Sequence, residues 1–162
     1  MKEIEALYRQ HAPAILSFAW RLCGDRSTAE DIVSETFVRL MTRPGRIETR
    51  TARAYLLTIA RNLYLSRLRR RLREVPLGDD APAPELDPVR RLDGEARLDA
   101  TMRALGEVPE SERAALLLRV DQELPYDEVA ASLGISVAAA RVRVHRARLR
   151  LAEALREKEK KP

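Results

Sequence analysis

The chain has 162 residues, room for one ordinary domain or two small ones, and its 30 Lys and Arg exceed its 25 Asp and Glu. The resulting pI near 9.8 favours a polyanionic partner. One cysteine, Cys23, and two histidines, His11 and His145, make neither a disulfide framework nor a four-ligand zinc site, so no metal and no cofactor is expected.

The opening Met-Lys-Glu-Ile-Glu lacks a basic segment followed by an apolar run, and no stretch approaches the length of a membrane span. A cytoplasmic protein without membrane insertion is expected, with Cys23 a reduced packing residue. Scarce glycine, few aromatics and abundant Ala, Leu, Arg and Glu favour an all-α fold.

In chain order, Ile4, Leu7, Tyr8, Ile15, Phe18, Ala19 and Leu22 recur at helical spacing and predict an opening helix kinked at Pro13 and stopped by Gly24 and Asp25. Ser27-Thr-Ala-Glu30 has the form of a capping box and predicts a second helix over 28–41. Arg43-Pro-Gly45 breaks it. A third helix over 52–72 carries Leu56, Ile59, Ala60 and Leu63 on its core face. Together these make one small bundle, 1–73. Over 74–96 the periodicity fails among prolines and acids, which predicts an extended acidic linker.

A second bundle, 97–157, follows, with helices over 97–105, 110–120, 126–133 and 137–155. The last two are joined by Gly134, an apolar Ile135 and Ser136 as N-cap, a helix-turn-helix pattern. In the last helix Val137, Ala140, Val144, Ala147 and Leu151 form a stripe that packs inward. The other sides carry Arg141, Arg143, His145, Arg146, Arg148 and Arg150, and no acid occurs from 136 to 151. Solvated surface helices interleave both signs, so a face of one sign behind a helix-turn-helix points to DNA; the alternative is a solvated face with core contacts on one side. Small Ala138 and Ala139 allow close approach of the helix N-terminus to a groove, and Val142 can touch a thymine methyl.

The third helix has a cationic end of its own. "ARNLYLSRLRRRLR" holds Arg61, Arg67, Arg69, Arg70, Arg71 and Arg73 without an acid, and Tyr55, Asn62 and Tyr64 add stacking or base-edge groups. Such a mixture suits unpaired bases, whereas an inserted helix suits a duplex major groove. The alternative for the tyrosines, Tyr55 above all, is burial in the core.

Three segments carry a family resemblance: "STAEDIVSETFVRL" (27–40), "ARAYLLTIARNLYLSRLRRR" (52–71) and "VPESERAALLLRVDQELPYDEVAASLGISVAAARVRVHRARLRL" (108–151). In this order they resemble regions 2.2, 2.3–2.4 and 4 of the extracytoplasmic-function group of bacterial sigma factors, the promoter-recognition subunits of RNA polymerase. The resemblance implies that Asp31, Glu35, Thr36 and Arg39 dock on core polymerase. It also implies that Tyr55, Arg61, Asn62, Tyr64, Ser66, Arg67 and Arg70 read and open the minus 10 element.

By the same resemblance Ser136, Ala138, Ala139, Arg141, Val142, Arg143, His145, Arg146 and Arg148 read the minus 35 element. Tyr55 stands where the family often has tryptophan and Ser66 where it often has aspartate. Ala138, Ala139 and Val142 replace the frequent glycine, threonine and serine, which moves readout onto Arg141, Arg143, His145 and Arg146. An anti-sigma partner is implied as well.

Asp31 and Glu35 lie one turn apart on one face and could suggest metal or acid–base chemistry, but no histidine, third carboxylate or glycine-rich loop accompanies them. No catalytic residue and no small-molecule substrate is expected. The competing reading is a stand-alone helix-turn-helix regulator, which would need a ligand pocket or a self-complementary apolar face.

Overall fold

The computed structural model describes residues 2–42, 51–74 and 100–159. The expected break at Arg43-Pro-Gly45 lies outside them, as does the linker expected over 74–96, apart from Glu74. Among the described residues the chain is helical, with no strand.

Helix α1, Lys2–Cys23, runs through Pro13 and buries Ile15, Phe18, Ala19, Leu22 and Cys23, the later part of the expected stripe, whereas Ile4 and Leu7 are half-buried and Tyr8 is exposed. Gly24, at φ 79°, ends it with its amide on the Trp20 carbonyl at 2.7 Å. Helix α2, Arg26–Thr42, begins earlier than expected. Its cap is Asp25, whose Oδ2 accepts from the Thr28 amide at 3.2 Å. The expected Ser27–Glu30 box does not form: Glu30 accepts instead from Arg26 Nε at 3.2 Å. A carboxylate before the first turn meets the helix dipole with a full charge, which a serine hydroxyl cannot.

Helix α3, Ala52–Glu74, is capped by Thr51, whose Oγ1 accepts from the Ala54 amide at 3.1 Å. Six of the seven residues from Ala54 to Ala60 are buried and Tyr55 is half-buried. A helix covered nearly all round is a central one, and α3 packs on α1, on α2 and on the second unit.

That unit comprises α4 (Ala100–Glu107), α5 (Glu110–Leu116), α6 (Tyr126–Leu133) and α7 (Val137–Glu159). The helix expected over 110–120 changes register: Leu117–Asp121 is a π-helical turn, closed by the Gln122 amide on the Leu117 carbonyl at 2.9 Å. At the end of α6, Gly134 adopts φ 66°. The Ile135 amide then reaches back to the Ala130 carbonyl at 3.0 Å, which satisfies the last turn. The Ser136 hydroxyl accepts from the Ala139 amide at 3.1 Å and starts α7. In α7 the buried stripe is Ala140, Val144, Ala147 and Ala154, with Leu151 half-buried. Val137, expected in that stripe, is 39% exposed. It belongs to the first turn, which stands clear of the helices packed on the rest.

The two units share one apolar core, in which Phe18, Leu56 and Leu57 continue into Leu118, Val129 and Val144. Polar contacts pin the seam. Arg113 of α5 is wholly buried, with Nε donating to the Leu22 carbonyl at 3.0 Å and Nη1 to the Val108 carbonyl at 2.6 Å. A cation thus closes the C-terminal end of α1, where helix carbonyls lack amide partners. Thr58 of α3 donates its hydroxyl to Ala54 at 2.8 Å, which leaves Ser132 of α6 the donor in their 2.7 Å contact.

Candidate nucleic-acid interface

The α7 surface opposite its buried stripe is built from two adjacent rows. Arg141, His145 and Arg148 follow one another at helical spacing, with Val142, Arg146 and Leu149 beside them, all exposed. Arg143 and Ala139 are half-buried and Ala138 is exposed, so the helix entry is narrow. Ser136 spends its hydroxyl oxygen on the cap. The guanidinium of Arg141 lies 4.9 Å from the ring centroid of Tyr126. Arg150 turns back from the row, its Nε 2.8 Å from Glu112 Oε2 of α5. The cations that remain outward form a stripe whose guanidinium forks have the chemistry to pair with guanine edges or phosphates, beside a valine methyl surface.

On α3 the expected downstream readers divide. Asn62 and Arg70 are exposed, with Arg69, Arg71 and Arg73 beside them at the cationic end. Tyr55, Ser66 and Arg67 are half-buried, and Tyr55 packs on the core. Arg61 is engaged by the second unit, its Nε and Nη2 donating to the two carboxylate oxygens of Glu110 at 2.9 and 2.8 Å. Tyr64 is buried. In this arrangement of the units, Arg61 and Tyr64 do not face solvent as a reader of bases would.

On α2, Asp31, Glu35 and Arg39 are exposed. Thr36 corrects the expectation of a surface contact: it is fully buried, its hydroxyl donating to the Ile32 carbonyl at 2.6 Å. That bond satisfies the hydroxyl within the helix, so burial costs little. Glu35 accepts from Arg67 Nη2 at 2.6 Å, which ties the expected polymerase face to the expected downstream reader.

Sequence reasoning missed Glu110, Glu112, Arg113 and the pair Arg119–Tyr126. Acids after Pro109 read as ordinary first-turn residues, and nothing in the local pattern marks an arginine for the core. Among the described residues no group of three or more His, Cys, Asp and Glu is placed to hold a metal ion. No described helix is long and apolar enough to cross a membrane.

An all-helical chain that pairs a cationic helix in one unit with a helix-turn-helix in the other defines a class, and comparison with known proteins agrees with it. Residues 7–74 match the Sigma-70 region 2 family and residues 98–151 the Sigma-70, region 4 family. The ECF RNA polymerase sigma factor SigE of Mycolicibacterium smegmatis is 34% identical over 161 residues, covering 96% of this chain and 62% of its own length. The ECF RNA polymerase sigma factor EcfG of Rhodopseudomonas palustris is 32% identical, covering 88% and 80%.

Among solved structures, the sigma factor RpoE of Bartonella quintana, in complex with the anti-sigma factor NepR, aligns with a TM-score of 0.75 at 27% identity, over 96% of this chain and 98% of that one. CnrH, in complex with the cytosolic domain of CnrY, shares the fold at a TM-score of 0.68 and 24% identity, over 96% and 89%. The chain belongs to the extracytoplasmic-function sigma factors of the sigma-70 family.

Proposed function

We propose that the chain is an alternative sigma factor that binds core RNA polymerase, directs it to specific promoters and assists their melting in the cytoplasm. The polymerase supplies the chemistry and this chain supplies no catalytic residue. The observation that carries the reading is the exposed single-sign face of α7, set on a capped helix-turn-helix and coupled to a second unit with its own cationic helix end.

Region 2, 1–73, would hold core polymerase through Asp31, Glu35 and Arg39 and take the minus 10 element on α3. Region 4, 97–157, would take the minus 35 element on α7, with residues 74–96 joining them. Arg61 meets DNA only after its pair with Glu110 of α5 opens, so engagement with polymerase must supply that separation. An anti-sigma partner that stabilises the closed arrangement would keep the factor inactive; the complex of the RpoE relative with NepR supports that class of partner.

The test is transcription in vitro with purified bacterial core polymerase on a promoter library. Initiation only when this chain is added is the expected result. Failure on every promoter, together with tight promoter binding by the isolated protein, would instead identify a stand-alone regulator.

A further inference from the structure

Arg141 is exposed on α7, yet its guanidinium is not left to wander. It lies 4.9 Å from the centroid of the Tyr126 ring, and Arg119 approaches the same ring at 4.4 Å. Arg119 is itself tied down, its Nη1 donating to the Leu124 carbonyl at 3.1 Å from the π-helical turn that precedes α6. Tyr126 is the first residue of α6, half-buried and packed on the shared core. The ring is therefore fixed to the first helix of the helix-turn-helix. Among the described residues, Arg141 is the arginine of α7 with a ring beneath it.

A guanidinium stacks through its face and donates hydrogen bonds through its edge. One contact leaves the other available. An unstacked arginine spreads over many rotamers and must surrender them when it pairs with a guanine edge, whereas a stacked one has surrendered part of that freedom already. A ring needed only for packing could be replaced by leucine; a ring that holds a cation could not.

We propose that Tyr126, steadied by Arg119, is a positioning residue for base recognition, holding Arg141 with its guanidinium edge toward the duplex. Base preference at the pair that Arg141 reads then depends on a side chain of the preceding helix. The proposal rests on α7 being the major-groove helix of a promoter-binding factor.

The experiment uses the full chain assembled with core polymerase and a pool of duplexes randomised across the upstream promoter element, with bound sequences counted. Arg141→Ala is expected to flatten the preference at one or two neighbouring base pairs. Tyr126→Leu should lower the preference at those same pairs by about two- to fivefold, the worth of an exposed cation–π contact, and leave the remaining pairs unchanged. Tyr126→Phe should retain the wild-type preference, and Tyr126→Leu should add nothing in the Arg141→Ala background.

The NMR resonance of the Arg141 Nε–H, shifted by the ring in the free protein, should move in Tyr126→Leu and persist in Tyr126→Phe. A Tyr126→Leu protein that loses affinity uniformly with its preferences intact would overturn the proposal, and so would failure of phenylalanine to rescue. Should even the wild-type complex select no sequence while the ring-shifted resonance is present, the promoter reading itself falls, and the positioning role falls with it.

Discussion

Arg61 of α3 and Glu110 of α5 meet side-on, through hydrogen bonds of 2.9 and 2.8 Å, with 11% and 6% of their side chains exposed. Two forks this well matched and this well covered bind the units by geometry as well as charge. Removing one partner of a buried pair strands the other, at a cost of about 3 kcal/mol. Glu110→Ala should therefore loosen the seam. Fluorescent labels on Glu3 and Arg156, both exposed, should report a longer mean distance, and the free protein should gain affinity for the unpaired non-template strand of the downstream element. The exchanged pair Arg61→Glu with Glu110→Arg should restore the short distance. An unchanged distance in Glu110→Ala would remove the pair from any role in holding the units together.

Arg113 joins the same units from inside. With no solvent contact and its donors on the Leu22 and Val108 carbonyls, it cannot be exchanged for an apolar residue without leaving acceptors dry. Arg113→Met fills the space and supplies no donor, so a loss of about 2–3 kcal/mol is expected. Chemical denaturation measures it. A loss below about 0.5 kcal/mol, the range of an ordinary surface change, would show that water replaces the guanidinium.

Much of this architecture was legible in the residues because it depends on local rules. The stripe of α1 and the Gly134–Ser136 punctuation both follow from spacing and capping chemistry within a few positions. The seam does not. Thr58 and Ser132 lie 74 positions apart in the chain, and Glu110 and Arg113 acquire their roles only when α5 settles on α3 and α1. Burial of Thr36 was hidden for a different reason: its hydroxyl is satisfied by Ile32 one turn earlier, so a polar letter stands at a core position. At the start of α2 two residues, Asp25 and Ser27, had the right chemistry for a cap, and the pattern alone favoured the weaker one.

Gly134 tests the helix-turn-helix turn. Its φ of 66° lies in the left-handed region, and a Cβ built there would meet nothing within 4 Å. The requirement is for backbone freedom alone. Gly134→Ala should cost about 1 kcal/mol and Gly134→Asn less, because asparagine tolerates this conformation. Thermal unfolding should rank glycine most stable, asparagine next and alanine least; equal stability of glycine and alanine would mean that the turn relaxes to another geometry.

His11 gives the fold a dependence on pH. It lines a cleft of about 720 Å³ between α1, the start of α3 and the segment before α6, together with Gln10, Arg53, Pro125 and Glu128. Burial first, and the Arg53 charge second, hold its pKa below the ordinary 6.5. The unfolded chain therefore binds the proton more readily than the folded one, so stability is full above about 6.5 and declines as the pH falls below it. His11→Gln should flatten that part of the stability profile, read by denaturant titration at a series of pH values. An identical slope in the variant would assign the dependence to other groups.

The arginines of α7 should not contribute alike. Arg146 is exposed, whereas Arg150 is held 2.8 Å from Glu112, a carboxylate 11% exposed on its side chain. An arginine already neutralised within the protein displaces fewer counterions from DNA than an outward one. Arg146→Ala should weaken binding of the polymerase complex to the upstream element, by about 1–3 kcal/mol if it reaches a base edge, with relaxed preference at that pair. Should it contact phosphate alone, the loss would be uniform across sequences and the salt slope would fall by about 1.

Arg150→Ala should change the salt slope less and stability more, since it strands Glu112 at the start of α5. Asn62→Ala, on the other unit, should leave upstream binding intact and slow open-complex formation. Upstream binding lost in Asn62→Ala and retained in Arg146→Ala would reverse the division of labour between the two units.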